Sequence, residues 1–298
     1  MPSVLEAHRT GLQALAEVTV LLQRVRSAHP TAGLHEAADM QWSWRIPRPT
    51  DDLPQLFWVD HLGRPDAAVI VTDVPGRTEL APIVMPDADP DWLAHVVERG
   101  LAHARTLGRG ALSLEVDAAD DALREVLVGH GFAVEGEGVV ETWMATDARP
   151  EVSAPPEGYR LSRRVDTVGR PHHMISPERN HPDVEDRLRQ TSLYRPDLDL
   201  VVHDRHEGVA AYGLFWYDPV TATGLVEPMR TEADHRRRGL ARHILTTGID
   251  RLAAAGAERI KICFEPGNPA SRGLYLDVGF VPHRRTVVVA RGTGGAGR

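Results

Sequence analysis

Gly224-Leu-Val-Glu-Pro-Met-Arg-Thr231, then a polar turn, then Arg236-Arg-Arg-Gly-Leu-Ala241 opening a segment of apolar residues at helical spacing that ends near Ala255: the fold turns on this stretch. Its order is strand, basic glycine turn, helix. A helix N-terminus carries unpaired backbone N–H groups and the positive end of the helix dipole, so it suits phosphate oxygens. Gly239 lets the backbone come close to a ligand, Ala241 keeps the entrance open, and Arg236, Arg237 and Arg238 add charge suited to a diphosphate. Taken alone, the arginine run fits a solvated surface or a nucleic-acid patch equally well.

Working outward, residues 94–132 and 242–280 align without a gap at a constant offset of 148 residues. Gly100 and Gly248, Gly108 and Gly256, and Gly131-Phe132 and Gly279-Phe280 coincide. Val96, Val97 and Leu101 lie over Ile244, Leu245 and Ile249 with helical spacing, and Leu112, Leu114 and Val116 lie over Ile260, Ile262 and Phe264 with strand alternation. Each copy therefore reads helix, glycine turn, strand, short helix and a Gly-Phe approach to a further strand. Hairpins precede both copies, around residues 63–84 and 200–231. The fold class is mixed α/β (α+β) in two tandem domains, each a mixed, mostly antiparallel sheet flanked by helices. The expected boundaries are 1–147 and 157–291, with a proline-bearing linker at 148–156 and a disordered tail at 292–298.

The six residues Arg236-x-x-Gly239-x-Ala241 resemble the first signature of the GNAT superfamily of acyl-CoA-dependent N-acetyltransferases. The stretch Asn268-Pro-Ala-Ser-Arg-Gly-Leu-Tyr-Leu-Asp-Val-Gly-Phe280 is similar to its second. The resemblance covers about 130 residues and points to a tandem-domain member. It implies acetyl-CoA as cosubstrate. The pyrophosphate would be held by Arg236, Arg237, Arg238, Gly239, Leu240, Ala241 and Arg242. The pantetheine arm would run along Met229, Arg230 and Thr231, with Asn268 and Ser271 on its other side. Tyr275 would be the general acid towards the departing thiolate and Glu227 a base, although Glu227 is equally readable as a structural acceptor. The same resemblance implies N-acetylation of a primary amine of a small molecule by direct attack in a ternary complex.

In the first copy, Arg236, Gly239 and Ala241 correspond to Ala88, Asp91 and Leu93, and Tyr275 to Leu127. Two carboxylates there would repel a diphosphate while suiting a helix start, where Asp89 or Asp91 can cap and Pro90 fits the first turn. One cofactor per chain is expected, with the first domain shaping the acceptor cleft.

The remaining features mostly exclude. A net charge of −8 disfavours a nucleic-acid binder and suits a cationic amine. No apolar run reaches the roughly 20 residues of a membrane helix, and residues 1–26 read as an amphipathic helix rather than a signal peptide, so a cytoplasmic setting is expected. The one cysteine, Cys263, rules out an internal disulfide and a cysteine-based zinc cluster. His172, His173, His181 and Asp183 match no common metal spacing, so no metal is expected. Asn180, Tyr194 and Trp216 are candidate acceptor contacts. Monomer and homodimer both remain open. Alternatives are a non-catalytic acyl-CoA-binding or interaction protein, or an acyltransferase acting on a protein amine.

Overall fold

The computed structural model describes residues 4–176 and 179–292. Their contacts form two compact units. Unit 1 takes the chain up to Met40, Pro47–Val139 and the chain from Arg284; unit 2 takes Gln41–Ile46 and Val140–His283. These bounds differ from the sequence expectation of 1–147, 148–156 and 157–291, because strands cross it in both directions. The expected tail lies, beyond Gly292, outside the described residues.

Unit 1 begins with β1 (Leu5–Arg9), α1 (Gly11–Ala28) and the start of α2 (Ala37–Ser43). It continues through β2 (Gln55–Val59), β3 (Pro65–Val74), β4 (Arg77–Val84), α3 (Pro90–Thr106), β5 (Leu112–Asp117), α4 (Asp121–Gly129) and the first half of β6 (Ala133–Ala145). The single helix expected over 1–26 is therefore a strand followed by a helix. Leu5 to Arg9 pair with Val59 to Gln55, and Gly11, at φ 54°, turns the chain into α1.

Unit 2 contains the end of β6, then β7 (Tyr159–Arg163), α5 (Val184–Leu188), β8 (Asp199–Asp204), β9 (Val209–Asp218), β10 (Thr223–Thr231), α6 (Leu240–Ala255), β11 (Arg259–Phe264), α7 (Pro269–Val278) and the start of β12 (Val281–Arg291).

The repeat read in the sequence appears as α3–β5–α4–β6 and α6–β11–α7–β12. Its shared glycine has a steric cause. A Cβ on Gly100 would stand 2.9 Å from Val69, and one on Gly248 would stand 2.0 Å from Phe215. Only glycine lets each helix settle on its sheet. In unit 1 that contact buries Val69, Val96, Val97 and Leu101 together; in unit 2 it buries Phe215, Ile244, Leu245 and Ile249.

Within unit 1 the strands run in the order β1, β2, β3, β4, β5, β12, and within unit 2 in the order β6, β11, β10, β9, β8, β7. Only β4–β5 and β10–β11 are parallel among the registered pairs. The last strands are exchanged relative to the repeat. Val140 to Ala145 of β6 pair antiparallel with Phe264 to Arg259 of β11. Thr286 to Arg291 of β12 pair antiparallel with Asp117 to Leu112 of β5.

Candidate functional site

The site grows from the place where β10 and β11 part. Their registered pairing covers Thr223–Leu225 against Arg259–Lys261 and stops there. On its other edge β10 pairs with β9 to Thr231, interrupted by a bulge in which Glu227 and Pro228 stand opposite Leu214 alone. Met229, Arg230 and Thr231 are thus held by β9 on one side. The edge turned towards β11 has no registered strand partner, and an extended peptide-like arm could pair with it. This is where the pantetheine arm was expected.

The chain leaves β10 through a short turn and enters α6 in an unusual backbone state. Arg237 has φ 58° and Gly239, the residue that caps α6, has φ 81°. No side chain caps this helix. The first intrahelical bond is His243 N–H to Gly239 C=O at 3.0 Å, so the N–H groups of Leu240, Ala241 and Arg242 have no acceptor inside the helix. Arg236, Arg237, Arg238 and Gly239 are exposed, whereas Leu240 is buried and anchors the turn in the core. Arg236 reaches the Thr231 carbonyl at 3.5 Å and Arg238 the Asp234 carbonyl at 3.4 Å. Arg242 turns away to an ion pair with Asp277 on α7.

Tyr275 lies in the core of unit 2, packed between Phe264 and Phe280 with ring centroids 6.4 Å from each. Burial pushes its hydroxyl up to about 12; a hydrogen bond with Ser271 opposes this, and Cys263 and Glu227 add to it. Glu227 is therefore close enough to be felt electrostatically by Tyr275. It is half-buried, and its backbone carbonyl accepts the Trp216 indole N–H at 2.8 Å. Asn268 caps α7, accepting Ser271 N–H at 3.1 Å. The one lysine, Lys261, is buried against Glu141 at 2.9 Å.

The corresponding parts of unit 1 are built differently. Asp89 caps α3 with its own carboxylate, accepting Asp91 N–H at 2.8 Å, with Pro90 in the first turn. A side-chain anion already occupies the place that α6 leaves open. Leu127, at the position of Tyr275, is fully buried and carries no dissociable proton. Glu79 stands at the position of Glu227, and burial raises its pKa against the attraction of His35, with Glu115 adding to the rise.

Three sequence candidates meet in a second cluster. His172 Nε2 lies 2.9 Å from Asp199 Oδ2, His173 Nε2 lies 2.9 Å from Asp199 Oδ1, and Tyr194 donates to Asp199 Oδ2 at 2.8 Å. Their ligand atoms are all within 4.8 Å. However, the two imidazoles are stacked, 4.5 Å between centroids and 24° from parallel. A metal bonds an imidazole nitrogen close to the plane of the ring, and stacked rings this near to parallel do not aim two in-plane lone pairs at one point. The geometry is that of a buried carboxylate held by donors. Burial would raise the Asp199 pKa, yet the attraction of His173 and the hydrogen bond from His172 outweigh it and hold the group below the ordinary carboxylate range. Trp216 is buried in the sheet, and His181 and Asp183 pair with each other on the surface.

One contribution was missed from the sequence. Residues 41–46 belong to unit 2. Gln41 accepts Leu193 N–H at 2.8 Å and donates to Ser192 at 2.8 Å, Trp44 donates to Gln190, and Arg45 donates to Asn180 at 3.1 Å. The only signal was the density of aromatic residues in Gln41-Trp-Ser-Trp-Arg45.

Residues 169–280 match the model of the acetyltransferase (GNAT) family. A mycothiol acetyltransferase from Beutenbergia cavernae is 26% identical over 297 residues, covering 91% of this chain and 94% of that protein. Among solved structures, a tandem GNAT protein from the clavulanic acid biosynthesis pathway matches with a TM-score of 0.68 at 14% identity, covering 99% of this chain and 100% of that one. A GCN5-related N-acetyltransferase from Sphaerobacter thermophilus matches at 0.62 and 14%, covering 98% and 97%. At these identities the structures speak for the tandem fold.

Proposed function

We propose, from a chain that belongs to the GNAT acetyltransferase family through residues 169–280, that it transfers an acetyl group from acetyl-CoA to a primary amine of a small molecule. The observation that carries this reading is the uncapped N-terminus of α6, with its left-handed Gly239, at the mouth of the β10–β11 opening and with Tyr275 in the core nearby. The resident groups suit the parts of CoA. The N–H groups and arginines of Arg236–Ala241 take the diphosphate, and the free edge of Met229–Thr231 takes the amides of the pantetheine arm. Arg242, its side chain engaged with Asp277, offers the diphosphate its backbone N–H. Asn268 acts by ordering the start of α7 and so placing Ser271 and Tyr275.

In the reaction the neutral amine attacks the thioester carbon, a C–N bond forms and the C–S bond breaks. Glu227 accepts the proton lost by the amine, through water, and Tyr275 gives its own to the sulfur. A tyrosine is fully protonated at neutral pH even at its ordinary pKa; burial keeps Tyr275 so and makes it a weaker acid, so donation to the sulfur goes with the C–S bond breaking rather than ahead of it. The relative at 26% identity is named mycothiol acetyltransferase, which supports a small molecule as acceptor. No helix of the described residues is long and apolar enough to cross a membrane.

Calorimetry with acetyl-CoA, followed by a screen of small amines read by release of CoA thiol, tests the proposal. Binding in the micromolar range, abolished by Arg236→Glu, is the expected result. No binding to the wild type, or the same binding by Arg236→Glu, would overturn it.

A further inference from the structure

The segment 153–159, read from the sequence as the end of a linker and the first three residues of the next domain, lies against the loop that opens α6. Ser153 N–H donates to Thr246 Oγ1 at 3.1 Å, and His243 Nδ1 bonds to the Ser153 carbonyl at 2.7 Å. Both partners are in the first two turns of α6. Pro156 Cγ sits 3.8 Å from where a Cβ on Gly239 would be. Tyr159 N–H returns to the Pro156 carbonyl at 3.3 Å, and the Tyr159 hydroxyl meets His235 Nδ1 at 3.0 Å, the rings being edge to face at 87°.

His235 is the residue immediately before the arginine run, at the end of the short 3-10 turn 233–235. Its other nitrogen, Nε2, faces Asp204 Oδ2 at 3.9 Å. Backbone N–H groups of Gly208 and His206 hold Asp204 below the usual carboxylate range, so it is an anion. The tautomer that suits both neighbours carries its proton on Nε2, towards Asp204, and accepts from Tyr159 at Nδ1. The loop is thus fixed at both ends: at His235 by Tyr159, and at α6 by Ser153. Between these points lie two left-handed residues, Arg237 and Gly239. A loop in that conformation loses little entropy on binding only if its ends are already held.

We infer that Tyr159 and His235 are positioning residues for the diphosphate loop, and that the 153–159 segment is a working part of the cofactor site. This rests on the reading of Arg236–Ala241 as the diphosphate cradle. Neither side chain is assigned contact with the ligand; they act by presenting the N–H groups beyond them.

The test is calorimetric titration of CoA into the full chain. Tyr159→Phe and His235→Leu each weaken binding about three- to tenfold, the worth of one hydrogen bond. His235→Gln, which keeps a carbonyl acceptor for the Tyr159 hydroxyl, recovers to within about twofold of wild type. If Tyr159→Phe does not fold, the Leu and Gln variants at 235 carry the test between them. Equal affinities for the Leu and Gln variants, or wild-type affinity in Tyr159→Phe, overturn the brace. Failure of the wild type to bind CoA instead overturns the function from which the brace follows.

Discussion

A tyrosine that gives a proton to a departing thiolate must still hold it at working pH. A tyrosine at its ordinary pKa already meets this condition, and burial of Tyr275 lifts the value further, to about 12. The sign follows directly: the neutral form is favoured in the fold, so the associated stability is full below pH 10 and is lost as pH climbs towards 12. Any fall in rate between pH 7 and 9 then belongs to another group. Tyr275→Phe is expected to lower kcat about 10²-fold while the KM for acetyl-CoA stays within about twofold; an unchanged kcat would remove Tyr275 from the chemistry. Asp199 titrates in the opposite sense. Its lowered pKa stabilises the fold above about pH 3.9 and that contribution disappears as pH falls further. Asp199→Asn should accordingly flatten the acid limb of a melting-temperature profile, and an unaltered limb would show that the cluster adds nothing. Tyr275 was singled out by its place in a motif, and the structure places it in the core of unit 2. Asp199 was not, because its meaning comes from His172, His173 and Tyr194 converging on it, and no periodicity encodes convergence.

At the scale of elements, two helices built on one plan start in opposite ways. α3 starts with the Asp89 carboxylate bonding backbone N–H, and α6 starts with Gly239, where no side chain caps the helix. Titration of the full chain with CoA should give one site; a stoichiometry of two would mean that α3 binds despite its cap. Gly248→Ala forces a methyl group into the Phe215 ring. It should cost about 3 kcal/mol and lower the melting temperature by several degrees, or else Phe215 has room to move. The repeated elements were readable because helix and strand periods survive sequence drift in both copies. β1 was not: Leu5 to Arg9 carry no alternation strong enough to announce a strand, and only pairing with β2 makes them one.

On the scale of the whole molecule, the sequence boundary near 147 cuts through shared structure. Val140 to Ala145 complete the sheet of unit 2 at β11, so a fragment of 148–298 leaves that edge bare. Size-exclusion chromatography of the fragment should show aggregates or dimers rather than a stable monomer, and a well-behaved monomer would show that β6 is dispensable. Sequence similarity exposed two copies of one unit but could not expose the exchange, since β6 and β12 are equivalent in the repeat and both fit either neighbour. The same exchange imposes an order in time. Thr286 of β12 meets Glu115 of β5 across 171 residues, which at ribosomal rates is roughly 10–30 s of synthesis. For that interval β5 waits with an open edge, and β6, made just after it, is the strand at hand. The native arrangement is reached only when the nascent chain refuses this nearer partner for the later one, so in ribosome-bound chains arrested before β12 the β5 amides should lack protection that they gain once β12 is released.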